Sequence, residues 1–455
     1  MNTHKKIDMT KGAIMPAIMI FALPIILSNI LQYLYTTVDT LVISHFCDHT
    51  AIAAVGTSAQ PVEVLVCIFL GIGTGVSILM SQYAGAGDKN SIKRLCGTSN
   101  TFVYICALPV SVLGFFLAPL LLKIMDVPED VWEQALLYTR IVLFGAVGNI
   151  GYNMNAGILR GMGDSRASLY FLFVSCIVNI ALDVVLVAFF KLGVCGVAVA
   201  TSIAMFFSWI VSIIYIRRKY KEIELTYLPK VLDGKQLKRL IFLGLPIGLN
   251  NSLFSFGHLA LQKLVNEQHS LFMAGWSVSG RVTGIANMAI TGISAAATTY
   301  SGQNYGAGEM ERLRKGQISI PLSSGLITLG FGLIFILLRE PILKIFTDDP
   351  QVLTYAGINV CIMLSCQWMY AVFNGISCII NGTGRVKYTT LVNLLMLWAV
   401  RIPSAYLIAR FIDGKKIMYS FPISFAFGMF CMIAYYIFSP SWKRLTEIKK
   451  EVKYG

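Results

Sequence analysis

The sequence predicts an all-α integral membrane protein: twelve transmembrane helices forming two six-helix lobes, related by a parallel internal repeat about the membrane normal. Three observations lead there. Of 455 residues, 56% are hydrophobic and only 13% charged, with a mean hydropathy of +0.69, more apolar surface than a water-soluble chain covers. The apolar residues fall in runs of roughly twenty or more without period-two alternation, and since hydrocarbon cannot hydrogen-bond a backbone, such runs cross as helices. The third observation is that the two halves of the chain carry the same motifs in one register.

That register is read from paired motifs. Ser81–Gly87 (SQYAGAG) answers Gly302–Gly308 (GQNYGAG), and Asn153–Arg166 (NMNAGILRGMGDSR) answers Asn374–Lys387 (NGISCIINGTGRVK), both at an interval of 221 residues. LGLP ending at Pro246 matches FALP ending at Pro24 at an interval of 222. The basic stretch around 217–237 lies between the copies. The domains are therefore an N-terminal lobe over 1–216, a cytoplasmic linker over 217–237, a C-terminal lobe over 238–440 and a basic cytoplasmic tail over 441–455.

Taken in order, the predicted spans of the first copy are 13–43, 51–83, 93–118, 130–158, 167–190 and 194–216. Those of the second are 238–265, 272–303, 314–338, 351–380, 388–410 and 417–438. The N-terminal segment has lysines ahead of an apolar run, as a signal sequence does, but the run continues through Pro24 without a small-residue cleavage site and is read as the retained first span. The loop glycines Gly85, Gly87, Gly306 and Gly308 read as tight turns and helix caps after long spans. Alternate gaps between spans separate sharply in charge. The N-terminus, the two GAG loops, the Arg160/Arg166 and Arg385/Lys387 loops, the linker with the adjoining Lys238 and Arg239, and the tail hold 26 of the 37 basic residues, and the intervening gaps hold seven. By the positive-inside rule this places both termini and the linker in the cytoplasm of a multi-pass protein of the cell (inner or plasma) membrane. The net charge of +14 is explained by that topology, so no nucleic-acid partner is implied. The partners implied instead are membrane lipids and a small-molecule substrate. An even number of spans per copy relates the lobes by an axis along the membrane normal and predicts a central cleft.

The ten cysteines lie mostly within apolar runs and include no CxxC pair, so they read as small packing residues. The five histidines form no HExxH, and no nucleophile cluster stands out, so the chain does not read as an enzyme. No GxxxxGK[ST] stretch exists to cradle ATP phosphates, and pumping would have to draw on an ion gradient or a partner.

Ionisable residues inside spans are costly and mark function. They are Asp39, Glu63, Arg140, Asp183, Lys263, Arg281 and Arg401, of which Arg140 and Lys263 stand near span ends where they can snorkel. Asp183 lies 17 residues past Arg166, about 25 Å at helical rise. Asn179 shares its helix face, and Thr201 falls at a similar depth in the sixth span. Pro24 lacks an amide donor and would bend the first span, bringing Asp39 to the same level. Two carboxylates, an amide oxygen and a hydroxyl are the hard oxygen ligands of a small cation, and such a carboxylate pair can equally carry a proton. Asp39, Asn179, Asp183 and Thr201 are thus the ion-coupling candidates, with Asp39, Asn179 and Asp183 as sodium ligands. A bound sodium ion is the one non-protein group considered; no other cofactor is implied. The positions in the second copy that answer the two acids are Ser404 and Leu261 or Gln262, so the ion site is assigned to the N-terminal lobe. Glu63, two residues past Pro61, is a candidate for the cleft, for the ion site or for a buried pair with Arg281. Arg281 and Gln262 are the other cleft candidates.

The combination of LP, Asp39 and IAAVG in the first two spans, the paired GAG loops, LRGMGDSR, Asn179 with Asp183, and RIP at Arg401–Pro403 resembles the multidrug and toxic compound extrusion (MATE) family over nearly the whole chain. The absence of acids from the seventh and tenth spans, together with the N-terminal-lobe carboxylates, is similar to its DinF-like branch. The resemblance implies a secondary antiporter exporting small organic, cationic or amphipathic compounds in exchange for protons or sodium ions. The alternative in the same wider superfold is a flippase for a lipid-linked sugar, for which only Lys263, Arg281 and Arg401 offer cleft cations.

Overall fold

In the computed structural model, residues 7–124, 127–226, 228–229, 232–440 and 442–443 are described, and all of the expected spans are helical. The first copy comprises α1 (Ile14–Phe46), α2 (His49–Ala86), α3 (Lys89–Lys123), α4 (Glu129–Gly161), α5 (Ser165–Phe189) and α6 (Gly193–Lys219). The second comprises α7 (Gly234–Asn266), α8 (Ser270–Ala307), α9 (Met310–Leu337), α10 (Pro350–Gly382), α11 (residues 386–413) and α12 (Ser420–Phe438). Among the described residues, ten stretches are long and apolar enough to cross a membrane. One of them, Val386–Phe438, has 53 residues and contains both α11 and α12, separated by the tight helical turn Gly414–Tyr419. The more polar α8, with 38 residues, corresponds to the expected eighth span. Large apolar side chains face outward, including Phe116, Phe189, Leu337 and Phe438 at 70%, 79%, 82% and 73% exposure. In water such a surface would be untenable, whereas lipid is as apolar as they are.

Helix ends follow local chemistry. The Asp88 carboxylate accepts the Ser91 amide at 3.0 Å to start α3, Asp164 accepts the Ala167 amide at 3.3 Å to start α5, and Asp349 accepts the Gln351 and Val352 amides ahead of Pro350. The bonds from Ser91 hold the Asp88 carboxyl below the usual carboxylate range. Gly87 and Gly308, 221 residues apart, close α2 and α8 with φ of +67° and +71°, values that a side chain strains. Gly85 and Gly306, read from sequence as turn residues, are instead inside the last turns of these helices.

Two contact units are distinguished. One holds Leu23–Ser252 with the described residues just before Met9, and the other holds Met9–Ala22 and the chain from Leu253 onward. These units are drawn differently from the repeat boundaries at 216 and 238, since α1 divides just ahead of Pro24 and α7 divides after Ser252. Each unit repeats the same packing. In the first, α4 lies along α2 and α6; in the second, α10 lies along α8 and α12. The motif glycines explain the match. A Cβ on Gly161 would stand 2.7 Å from the Ser77 carbonyl oxygen, and one on Gly382 would stand 2.6 Å from that of Thr298, the position 221 residues further on. Both glycines thus seat a helix directly on its neighbour's backbone.

The candidate ion site and the family

Three helices meet inside the first unit. Asp39 comes from the second half of α1, Asn179 and Asp183 from consecutive turns of α5, and Thr201 from α6. Asp39 is 8% exposed, and Asn179 and Asp183 are fully buried. The Thr201 hydroxyl donates to Asp39 Oδ2 at 3.4 Å. With its amide nitrogen turned inward, Asn179 donates to Asp39 Oδ1 at 3.0 Å and to Asp183 Oδ2 at 3.3 Å, thereby bridging the two acids. The carboxylates themselves are within hydrogen-bonding reach of one another, and Asp183 Oδ1 has no partner among the described residues.

Backbone geometry sharpens the placement. Asp183 is the last residue before α5 widens into a π-helical stretch, Val184–Phe189, a local change of register of the kind that often accompanies functional side chains. On α1, Pro24 sits inside a continuous helix, and its own carbonyl accepts the Ser28 hydroxyl at 2.8 Å. The ring cannot supply the amide that the preceding turn would use, which leaves the helix weakest fifteen residues before Asp39.

Two carboxylates that can only accept cannot face each other across a dry gap unless a positive charge or a proton lies between them. The donor set is oxygen-rich and hard. Among the described residues no group of three or more His, Cys, Asp or Glu comes together, so the arrangement fits a monovalent cation or proton better than a transition metal. The Asn179 amide is ambivalent: nitrogen inward it bridges the carboxylates, oxygen inward it becomes a cation ligand.

The sequence-predicted quartet is therefore assembled as one cluster. The other candidates are not part of it. Glu63 and Arg281 are exposed, so neither is a buried charge, and Gln262 is half-buried and donates to Asn266 Oδ1 at 2.8 Å along its own helix. Arg140 rests over the Phe115 ring at 5.2 Å, Lys263 is exposed, and Arg401 is buried in the second unit. Sequence reasoning missed Tyr35 and Tyr138, whose buried hydroxyls interact electrostatically with both carboxylates. Tyr35 had a readable signal, since it stands one helical turn before Asp39 on the same face.

Fold and site together define a polytopic, all-helical membrane protein of duplicated six-helix halves, with paired carboxylates buried in the first half. The MatE family model matches residues 24–185 and 246–407, one match for each copy, and the chain belongs to the MatE family. The chain is 28% identical over 461 residues to the probable multidrug resistance protein YoeA of Bacillus subtilis strain 168, covering 98% of each. It is 27% identical over 333 residues to DNA damage-inducible protein F of Escherichia coli K12, covering 73% of this chain and 72% of the relative, which supports the DinF-like resemblance. The fold matches an outward-facing multidrug resistance MATE family transporter of the MOP superfamily with a TM-score of 0.86 at 20% identity, covering 99% of this chain and 100% of that one. A Vibrio cholerae MATE transporter in its bent form superposes with a TM-score of 0.85 at 19% identity, over 94% of this chain and 97% of that one.

Proposed function

We propose that this protein is a secondary active antiporter that exports small organic, cationic or amphipathic compounds from the cell in exchange for sodium ions or protons. The observation that carries the reading is the buried pair Asp39 and Asp183, bridged by Asn179 and braced by Thr201. Such a pair gains most from a cation when dehydrated, and it can release that cation only when the surrounding helices change arrangement. Binding therefore couples to conformation, provided that one arrangement binds better than the other. Asp39 rides on the helix weakened at Pro24, so a cation drawing Asp39 towards Asp183 and Asn179 would also move α1. Flipping of a lipid-linked sugar is less favoured, because relatives matched along most of the chain are named as probable multidrug resistance proteins.

The reading includes an orientation: the loops at Lys89, Glu309 and Lys387 face the cytoplasm. Single cysteines there, in a variant without the native cysteines, should react with an impermeant maleimide only from the cytoplasmic side. Labelling of the Glu309 site from outside would make the repeats inverted. Lys230 and most of the tail lie outside the described residues. The coupling ion is tested in sealed vesicles with sodium and proton gradients imposed independently. Substrate efflux should follow at least one of them, and efflux indifferent to both would refute ion coupling.

A further inference from the structure

The second unit has a cavity of about 240 Å³ that the ion site does not involve. Its polar floor is Arg401, only 1% exposed, whose Nε donates to Ser424 Oγ at 2.9 Å. One guanidinium nitrogen, Nη2, is buried without a hydrogen-bond partner among the described residues. Three aromatic rings surround the guanidinium: Phe421 at 4.5 Å, Phe425 at 5.1 Å and Phe254 at 5.7 Å. The same cavity holds two further orphaned polar atoms, Gln367 Oε1 and Asn287 Oδ1.

An arginine keeps its charge in proteins, and a buried charge calls for a paired anion. No acid supplies it here. The cavity is lined from α7, α8, α10, α11, α12 and the turn before α12, and these helices contain no Asp or Glu except Asp413 at the far end of α11, twelve residues past Arg401. At helical rise that is about 18 Å away. Ring faces and one serine stabilise the guanidinium only in part. The backbone singles out the same place: the π-helical stretch Leu395–Arg401 ends at this arginine, just before Pro403 removes an amide donor.

We propose that this cavity is a binding site for small aromatic monocarboxylates. The carboxylate would pair with Arg401, the ring would lie among Phe254, Trp276 and Phe421, and a hydroxyl or amine on the ring would donate to Gln367 or Asn287. The volume suits a single ring, since an engineered cavity of ~150 Å³ admits benzene. A guanidinium paired with a carboxylate forms the strong, directional bonds that a chloride ion cannot match, and the three orphaned atoms ask for a ligand with both an acceptor and a donor. The proposal rests on the export reading only in making such compounds a class of cargo; binding itself needs no gradient.

The test is equilibrium binding of radiolabelled 4-hydroxybenzoate to the full-length protein in nanodiscs. Saturable binding is expected, competed by benzoate but neither by neutral 4-hydroxybenzamide nor by equimolar chloride. Arg401→Gln should weaken it by at least about tenfold. Gly280→Leu is a second variant that separates loss of binding from any loss of folding in Arg401→Gln. Gly280 lines the cavity with open space beyond it, so the leucine fills the site, keeps Arg401 and strengthens the helix. It should abolish binding while the unliganded protein melts at no lower a temperature than the wild type. Equal binding in wild type and both variants, competition by 4-hydroxybenzamide as strong as by benzoate, displacement by equimolar chloride, or no saturable binding would each overturn the proposal. None of these outcomes bears on cation-coupled efflux through Asp39 and Asp183, which is measured separately.

Discussion

The Thr201 hydroxyl reaches Asp39 Oδ2 at 3.4 Å across 162 positions of sequence, and this contact ties α6 to the half of α1 that follows Pro24. At that length the bond is weak, and it tightens only if Asp39 moves closer. Thr201 therefore acts as a gauge of where α1 stands when the site is loaded.

Replacing Thr201 with valine keeps the shape and removes the oxygen. The expected result is a three- to tenfold weaker apparent affinity for the coupling ion with a nearly unchanged maximal rate, since one long hydrogen bond of this kind is worth about 1 kcal/mol. Efflux measured against a series of ion concentrations checks this. A lowered maximal rate with unchanged affinity would make Thr201 a packing residue instead.

Asp164 is a structural counterpart at the end of the same helices. Its Oδ2 accepts from Lys219 Nζ at 2.7 Å, Tyr215 at 2.9 Å and Tyr220 at 3.0 Å, while its Oδ1 caps α5. The carboxyl is 5% exposed. Asp164→Ala leaves a cation and two hydroxyls without their acceptor and should destabilise the fold by about 3 kcal/mol. A clear fall in melting temperature of the detergent-purified protein is the expected reading, whereas Asp39→Asn should leave it nearly unchanged.

Much of this was legible in the sequence, for physical reasons. Apolar runs report spans because hydrocarbon imposes them, and paired glycines report the repeat because Gly161 and Gly382 sit where no side chain fits. Asp183 and Thr201 could be matched by depth, because helical rise converts sequence separation into position across the membrane, with Asn179 added by its shared helix face and Asp39 by the bend at Pro24. Azimuth is harder. Rotation about a helix axis decided that Glu63 and Arg281 are exposed and that Tyr138 turns towards the carboxylates, and no hydropathy pattern encodes that when every face is apolar. The π-helical stretches after Asp183 and up to Arg401 were likewise unreadable, since a single extra residue per turn leaves composition unchanged. Arg401 was noticed as a charge in a span, but its aromatic cage needed three helices to be placed.

Pro24 makes a prediction about motion. Pro24→Ala restores an amide donor and should stiffen α1, slowing efflux by about tenfold if the bent and straight forms shift by ~1.4 kcal/mol relative to each other. Spin labels near Leu31 and at a fixed site of the first unit should report a distance that changes with sodium or pH in the wild type and changes less in Pro24→Ala. If only a corresponding pair near Leu253 in the second unit responds, the moving element lies there instead.

The most direct test of the central claim is gradient-driven efflux from sealed vesicles by Asp39→Asn and Asp183→Asn, each at wild-type expression and melting temperature. Each substitution removes one negative charge while preserving size, so the site loses its ability to hold a cation or exchange a proton but keeps its packing. The account predicts that efflux driven by either ion falls at least about a hundredfold in both variants, a loss of ~2.7 kcal/mol or more. Wild-type efflux by either variant would contradict it and remove that carboxylate from the coupling mechanism.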